Sequence, residues 1–148
     1  MALYLSCRQA VAEVDLELVR RFLAPVLLAL EIGDDDLEIE ILDDALITQL
    51  NEKFFSRSWP TNVISFPQDR TEGHLGDIVV SVETISRETA ALGYSLEEGL
   101  VYYLIHGILH LLGYEHVGVG EEVARVMDQR QDELFDLALG QADLNGAG

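Results

Sequence analysis

Three of the four histidines in this chain, His106, His110 and His116, fall within one short stretch. His106 and His110 are four residues apart. On a helix that spacing places both on one face, with Cβ atoms about 5–6 Å from each other, so two ring nitrogens can converge on a single ion. Gly113 follows three residues later, where glycine can adopt left-handed dihedrals and turn the chain back. His116 can then swing round as a third nitrogen donor. Three histidine donors leave one tetrahedral position open, the arrangement of a catalytic zinc site, because structural sites fill all four positions. The expectation is one Zn2+ per chain held by His106, His110 and His116. The fourth histidine, His74, lies in the segment Glu72-Gly73-His74-Leu75 and reads as a solvated loop residue.

The ligand spacing, with its internal glycine, is similar to the metzincin pattern H-E-x-x-H-x-x-G-x-x-H, with one difference. The position after the first histidine, where those peptidases carry their glutamate general base, is Gly107 here. A glycine cannot move a proton. The metal cage is kept and the peptidase base is missing, which disfavours peptide hydrolysis.

The elements around these residues follow from hydrophobic periodicity. Ser95 and Glu98 have the spacing of a capping box, and the helix they open is apolar almost all round to about Leu112, so it is expected to be buried. Upstream, residues 2–7 read as a strand. Asp15 caps a helix over about 16–31 that contains Pro25, which should kink it, and ends at Gly33. Residues 37–41 alternate strictly and form a strand with one wet face. Asp43 or Asp44 caps a short helix bearing Leu46, Ile47, Leu50 and Phe54. Val63–Phe66 is a strand stopped by Pro67, residues 67–76 are loop, and Ile78–Val82 is a strand apolar enough to be central. Residues 84–92 form a helix ending at Gly93. The last helix runs from Glu121 to Leu139, with Val123, Met127, Leu134 and Ala138 on its buried face. The fold class is therefore α+β: a small mixed sheet of three to four strands with helices packed on it. Residues 1–139 are expected to form a single metal-dependent hydrolase domain, and the polar, glycine-rich 140–148 a disordered, frayed tail.

Composition narrows the setting. The chain has 148 residues, one domain's worth, and 49% hydrophobic residues, ordinary for a globular protein. A single cysteine, Cys7, forbids an intrachain disulfide and fits a reducing, cytoplasmic compartment. The longest apolar run, Phe22–Leu30, is too short for a bilayer, which takes about 20 residues, and acidic residues flank it. No membrane association and no nucleotide cofactor is expected. Nine Lys and Arg face 27 Asp and Glu, a formal charge of −18. That charge opposes non-specific binding to nucleic acid, although a few clustered cations can still make a local basic patch.

The stretch His106–His116 closely resembles the signature H-G-x-L-H-L-x-G-Y-D-H of the YbeY family, differing only at Glu115, where aspartate is usual. Leu50-Asn51 followed by Pro60-Thr61-Asn62-Val63-Ile64-Ser65-Phe66-Pro67 resembles that family's L-N…P-T-[DN]-V-L-S-F-P, and Leu75-Gly76-Asp77-Ile78 resembles its L-G-D-I. The resemblance implies a zinc-dependent, single-strand-specific endoribonuclease acting in 16S rRNA 3′-end maturation and ribosome quality control. Its implied partners are single-stranded rRNA, the small ribosomal subunit and that subunit's proteins. In one respect the chain departs from the family: an arginine usual soon after L-N is replaced by Phe55, and the nearest cation is Arg57.

Several roles stay open on the sequence. Arg57 either replaces the missing arginine at a phosphate or is a plain surface residue. Lys53, placed in the same loop, is the other cation set near the cleft. Glu115 orients a histidine, takes a proton, or simply faces solvent from the turn. Asp77 either hydrogen-bonds a ligand from behind, as outer-sphere partners of metal sites do, or caps the preceding turn. Ser65 has no His-Asp partners and is rejected as a nucleophile. Two other functions compete with RNA cleavage: a non-catalytic, zinc-binding ribosome assembly factor and, less favoured, a metallopeptidase.

Overall fold

A computed structural model describes residues 3–32, 34–114 and 120–146, with the side chains of 141–146 left aside. Its elements are β1 (Leu3–Cys7), α1 (Leu16–Ala29), β2 (Asp36–Leu42), α2 (Asp44–Phe55), β3 (Val63–Pro67), β4 (His74–Ser81), α3 (Val82–Ala90), α4 (Leu96–Leu111) and α5 (Glu121–Gly146). A 3-10 turn at Arg70–Glu72 lies between β3 and β4.

The strands form one four-stranded sheet in the order β1-β2-β4-β3. β1, β2 and β4 are parallel, and β3 is antiparallel to β4. β4 therefore sits inside the sheet, as its apolar run predicts. Alternation sends Ile78 and Val80 into the main core with α1, α3, α4 and α5, while Val79 joins Leu42, Ile47 and Ile64 on the opposite face under α2. Glu38 and Glu40 of β2 point to the wetter side, as its strict alternation requires.

Several helix starts follow from local chemistry. The Asp15 carboxylate accepts from the Leu18 N–H, and Asp43 accepts from the Leu46 N–H, so Asp43 rather than Asp44 caps α2. Ser95 and Glu98 form the expected capping box at α4. α1 continues through Pro25 to Ala29, and Gly33, expected to end it, lies outside the described residues.

The structure corrects the sequence reading at five places. β3 includes Pro67 and β4 begins at His74, so residues 67 and 74–76 are strand and not loop, and His74 is an exposed strand residue. Gly73, at φ 82°, closes a tight connection that lets Pro67 pair with Gly76. α3 begins at Val82, which belongs to the helix and not to the strand. Phe54 is exposed, because α2 buries Ile47 and Asn51 instead. Val123 is also exposed: the buried stripe of α5 is Met127, Gln131, Leu134, Phe135 and Ala138, and the first turn lies beyond the core. The α5 backbone continues past Leu139 to Gly146.

Candidate active site

α4 carries the central residues. Its apolar sides are packed among the sheet and helices, with Leu104, Ile105, Ile108 and Leu109 fully buried. One edge is left at a cleft, and His106 and His110 stand on it. His106 is half-buried and His110 exposed, so His110 carries none of the desolvation that a helix buried all round would have imposed. The two Nε2 atoms are 3.0 Å apart, and the rings meet edge to face at 73°.

Behind His106 lies a residue that sequence reasoning missed. The side chain of Gln131, on α5 and only 3% exposed, has its Oε1 2.8 Å from His106 Nδ1. Its Nε2 donates to the backbone carbonyl of Tyr102 at 3.4 Å. The available signal was one amide in the otherwise apolar stripe of α5, since a buried polar side chain requires a partner.

The opposite wall comes from the end of α2 and the loop after it. Ser56 adopts a left-handed conformation (φ 55°) and ends the helix. Asn51 is buried, donates from Nδ2 to the Trp59 carbonyl at 2.9 Å, and accepts from the Arg57 N–H through its own carbonyl at 3.3 Å. Asn51 thus holds the loop closed at both Arg57 and Trp59. The cleft between the walls has a volume of about 510 Å³, and Asn51, Phe55, Arg57, Ser65, His106 and His110 are among its lining residues. Ser65 donates its hydroxyl to the Gly107 carbonyl at 3.0 Å, which ties β3 to α4. A Cβ on Gly107 would lie 2.9 Å from Ser65 Oγ and 3.2 Å from Ile78 side-chain atoms. The position of the peptidase glutamate is therefore a packing contact that admits no side chain.

The other sequence-derived residues fall as follows. Arg57 lies in the cleft with the two histidines. Lys53 belongs to the last turn of α2, not to the loop, and its ammonium sits 5.3 Å from the Phe54 ring centroid. Asp77 is not at this cleft: it neighbours the inward-facing Ile78, so it points to the other face, where Gln68 donates to it at 2.9 Å. It lines a separate hollow with Glu38 and His74. Its carboxylate, by hydrogen bonding and repulsion, raises the pKa of Glu38. Glu115 and His116 lie outside the described residues. Among the described residues no three metal-ligating side chains converge.

The two imidazoles have the donor chemistry and spacing of part of a zinc site. Two nitrogens on one tetrahedral zinc are about 3.3 Å apart for bonds of about 2.0–2.1 Å. The observed 3.0 Å is within a few tenths of that span, and both atoms are of the donor type that zinc prefers. The pair fits.

Two imidazoles on a helix and an arginine in the facing loop line one cleft over a mixed sheet, which suits a hydrolase that acts on an anion. Residues 6–138 match the family model described as Endoribonuclease YbeY. The chain is 36% identical over 139 residues to the Endoribonuclease YbeY of Syntrophotalea carbinolica, covering 90% of this chain and 93% of that one. It is 40% identical over 130 residues to that of Petrotoga mobilis, covering 86% and 89%. The solution structure of TM1509 from Thermotoga maritima has the same fold, with a TM-score of 0.69 at 23% identity over 97% of this chain and 93% of that one. This chain belongs to the Endoribonuclease YbeY family, hydrolases of RNA phosphodiester bonds.

Proposed function

We propose that the protein is a zinc-dependent endoribonuclease specific for single-stranded RNA. In this reading it acts in the cytoplasm on single-stranded rRNA, with the small ribosomal subunit and its proteins as partners, in 16S rRNA 3′-end maturation and in ribosome quality control. The observation that carries the reading is the convergence of His106, His110 and Arg57 on one cleft in a chain of this family. His106, His110 and His116 are the residues that would hold the metal. When bound, zinc polarises a phosphate oxygen and acidifies water. The chain's own residues do the rest. The Arg57 guanidinium offsets charge that builds on the phosphate during cleavage, and Asn51 fixes the loop that presents it. Phe55 and Trp59, 47% and 59% exposed beside Arg57, offer ring faces on which unpaired bases can stack. A duplex keeps its bases stacked on each other and gains nothing from such faces. Glu115, beside His116, is proposed to orient that histidine.

The test combines zinc analysis of tag-free protein with incubation on single-stranded RNA, duplex RNA and casein, each with and without chelator. Chelator-sensitive cutting of single-stranded RNA alone is expected. Bound zinc without cutting of any substrate, even with ribosomal subunits present, would favour a non-catalytic assembly factor. Cutting of casein would favour a peptidase.

A further inference from the structure

The amide of Gln131 can be oriented in only one way. Its Nε2 faces the Tyr102 carbonyl, which can only accept. Turning the amide over would set two carbonyl oxygens against each other there. Oε1 must therefore face His106 Nδ1, and an amide oxygen can only accept, so at 2.8 Å the proton of that contact is on His106 Nδ1. A neutral imidazole with its proton on Nδ1 presents a lone pair at Nε2, the atom that faces His110 in the cleft. A free neutral histidine in water prefers the other tautomer, with the proton on Nε2, which is useless to a metal at that atom. Gln131 is 3% exposed, so water does not compete for either of its bonds.

The geometry points to Gln131 as a positioning residue that locks His106 in the Nδ1–H tautomer and aims its Nε2 lone pair at a divalent metal. It rests on the zinc reading proposed above. The metal and the substrate are never touched by Gln131, which acts from another helix through His106 alone. Ligand histidines held in this way typically lose 10–100-fold in metal affinity when the outer partner is removed.

The experiment records ring-nitrogen NMR spectra of the full metal-free chain and measures zinc affinity by competition with a chelating dye. Wild type, Gln131→Leu and Gln131→Glu are compared. Wild type should show His106 protonated at Nδ1. Gln131→Leu should move the proton to Nε2 and weaken zinc binding 10–100-fold. Gln131→Glu keeps an acceptor for the Nδ1 proton but loses the donor to the Tyr102 carbonyl, so a folded variant should keep the Nδ1–H tautomer. A merely structural role would not move the tautomer in this way. Wild-type His106 protonated at Nε2 overturns the inference whatever the variants do, so it stays testable if Gln131→Leu does not fold. A folded Gln131→Leu with wild-type affinity overturns it too, as does a folded Gln131→Glu with His106 protonated at Nε2. A wild-type chain with the Nδ1–H tautomer that takes up no zinc overturns the zinc reading and the metal half of this one, by a result that a misassigned Gln131 does not produce.

Discussion

His110 and Arg57 reach the same cleft from different elements, so removing one leaves the other in place. His110→Ala takes away an exposed donor from a folded helix, and zinc content should fall from about one per chain to near zero. Elemental analysis of the tag-free variant checks this, and full occupancy would remove His110 from the ligand set. Arg57→Ala should keep its zinc and lose about 10–100-fold in turnover of a single-stranded RNA. Equal turnover in wild type and variant would leave Arg57 a surface residue. Much of this was legible in the sequence, because spacing four apart on a helix dictates that two side chains share a face. Gln131 was not legible as a partner of His106. The two lie on different helices, and only the packing of α5 across α4 brings them within 2.8 Å.

At the level of elements, the contact between α4 and β3 sets what α4 can carry. Gly107→Glu would restore the residue type of a peptidase base, but its side chain would enter a space where even a Cβ meets Ser65 and Ile78. An unpaired carboxylate forced into that packing costs about 3–5 kcal/mol. Thermal denaturation should show a much less stable protein, with no casein hydrolysis gained; unchanged stability would mean that α4 can move off the sheet.

α2 has its own anchor. Asp44 accepts from the Ser81 and Thr84 hydroxyls at 2.6 Å each and pairs with Arg87 at 2.9 Å. Partial burial pushes the Asp44 pKa up, but the two hydroxyls and the guanidinium outweigh it, and the carboxyl ends below its ordinary value. A folded pKa below the unfolded one stabilises the protein above the unfolded value of about 3.9 and stops doing so as pH falls through the folded value. Asp44→Asn should therefore be less stable than wild type at pH 7, and the gap should narrow well below pH 4 in urea titrations. A gap that is constant with pH would assign the loss to shape alone. The caps of α1, α2 and α4 were readable because capping is local. The start of β4 was not, because His74-Leu75-Gly76 becomes strand only through its neighbours β2 and β3.

For the whole molecule, the charge of −18 sets how RNA is met. Arg8, Arg70, Arg87 and Arg130 each pair with a carboxylate, which removes them as ready phosphate contacts. With Arg57 the cation that lines the cleft among the described residues, binding of free single-stranded RNA should be weak. Its log affinity should fall with log salt at a slope of about −1, given about 0.7 per phosphate contact. Fluorescence anisotropy across a salt series checks this, and a slope steeper than about −3 would reveal a basic surface elsewhere. The sign of the net charge was plain in the sequence. The pairing that leaves so few cations for RNA was not, because Arg70 with Asp35 and Arg87 with Asp44 are partners joined only by the fold.

The seat of Gln131 on the last helix also sets an order in time. Translation delivers the chain from its first residue onward, so Asn51 and Arg57 emerge before His106 and His110, and Gln131, whose amide meets His106, after them. All four strands and the loop that bears Arg57 precede α4 and α5 in the chain. The two walls of the cleft are thus made one after the other, and the contact between Gln131 and His106 can form only once α5 has followed α4.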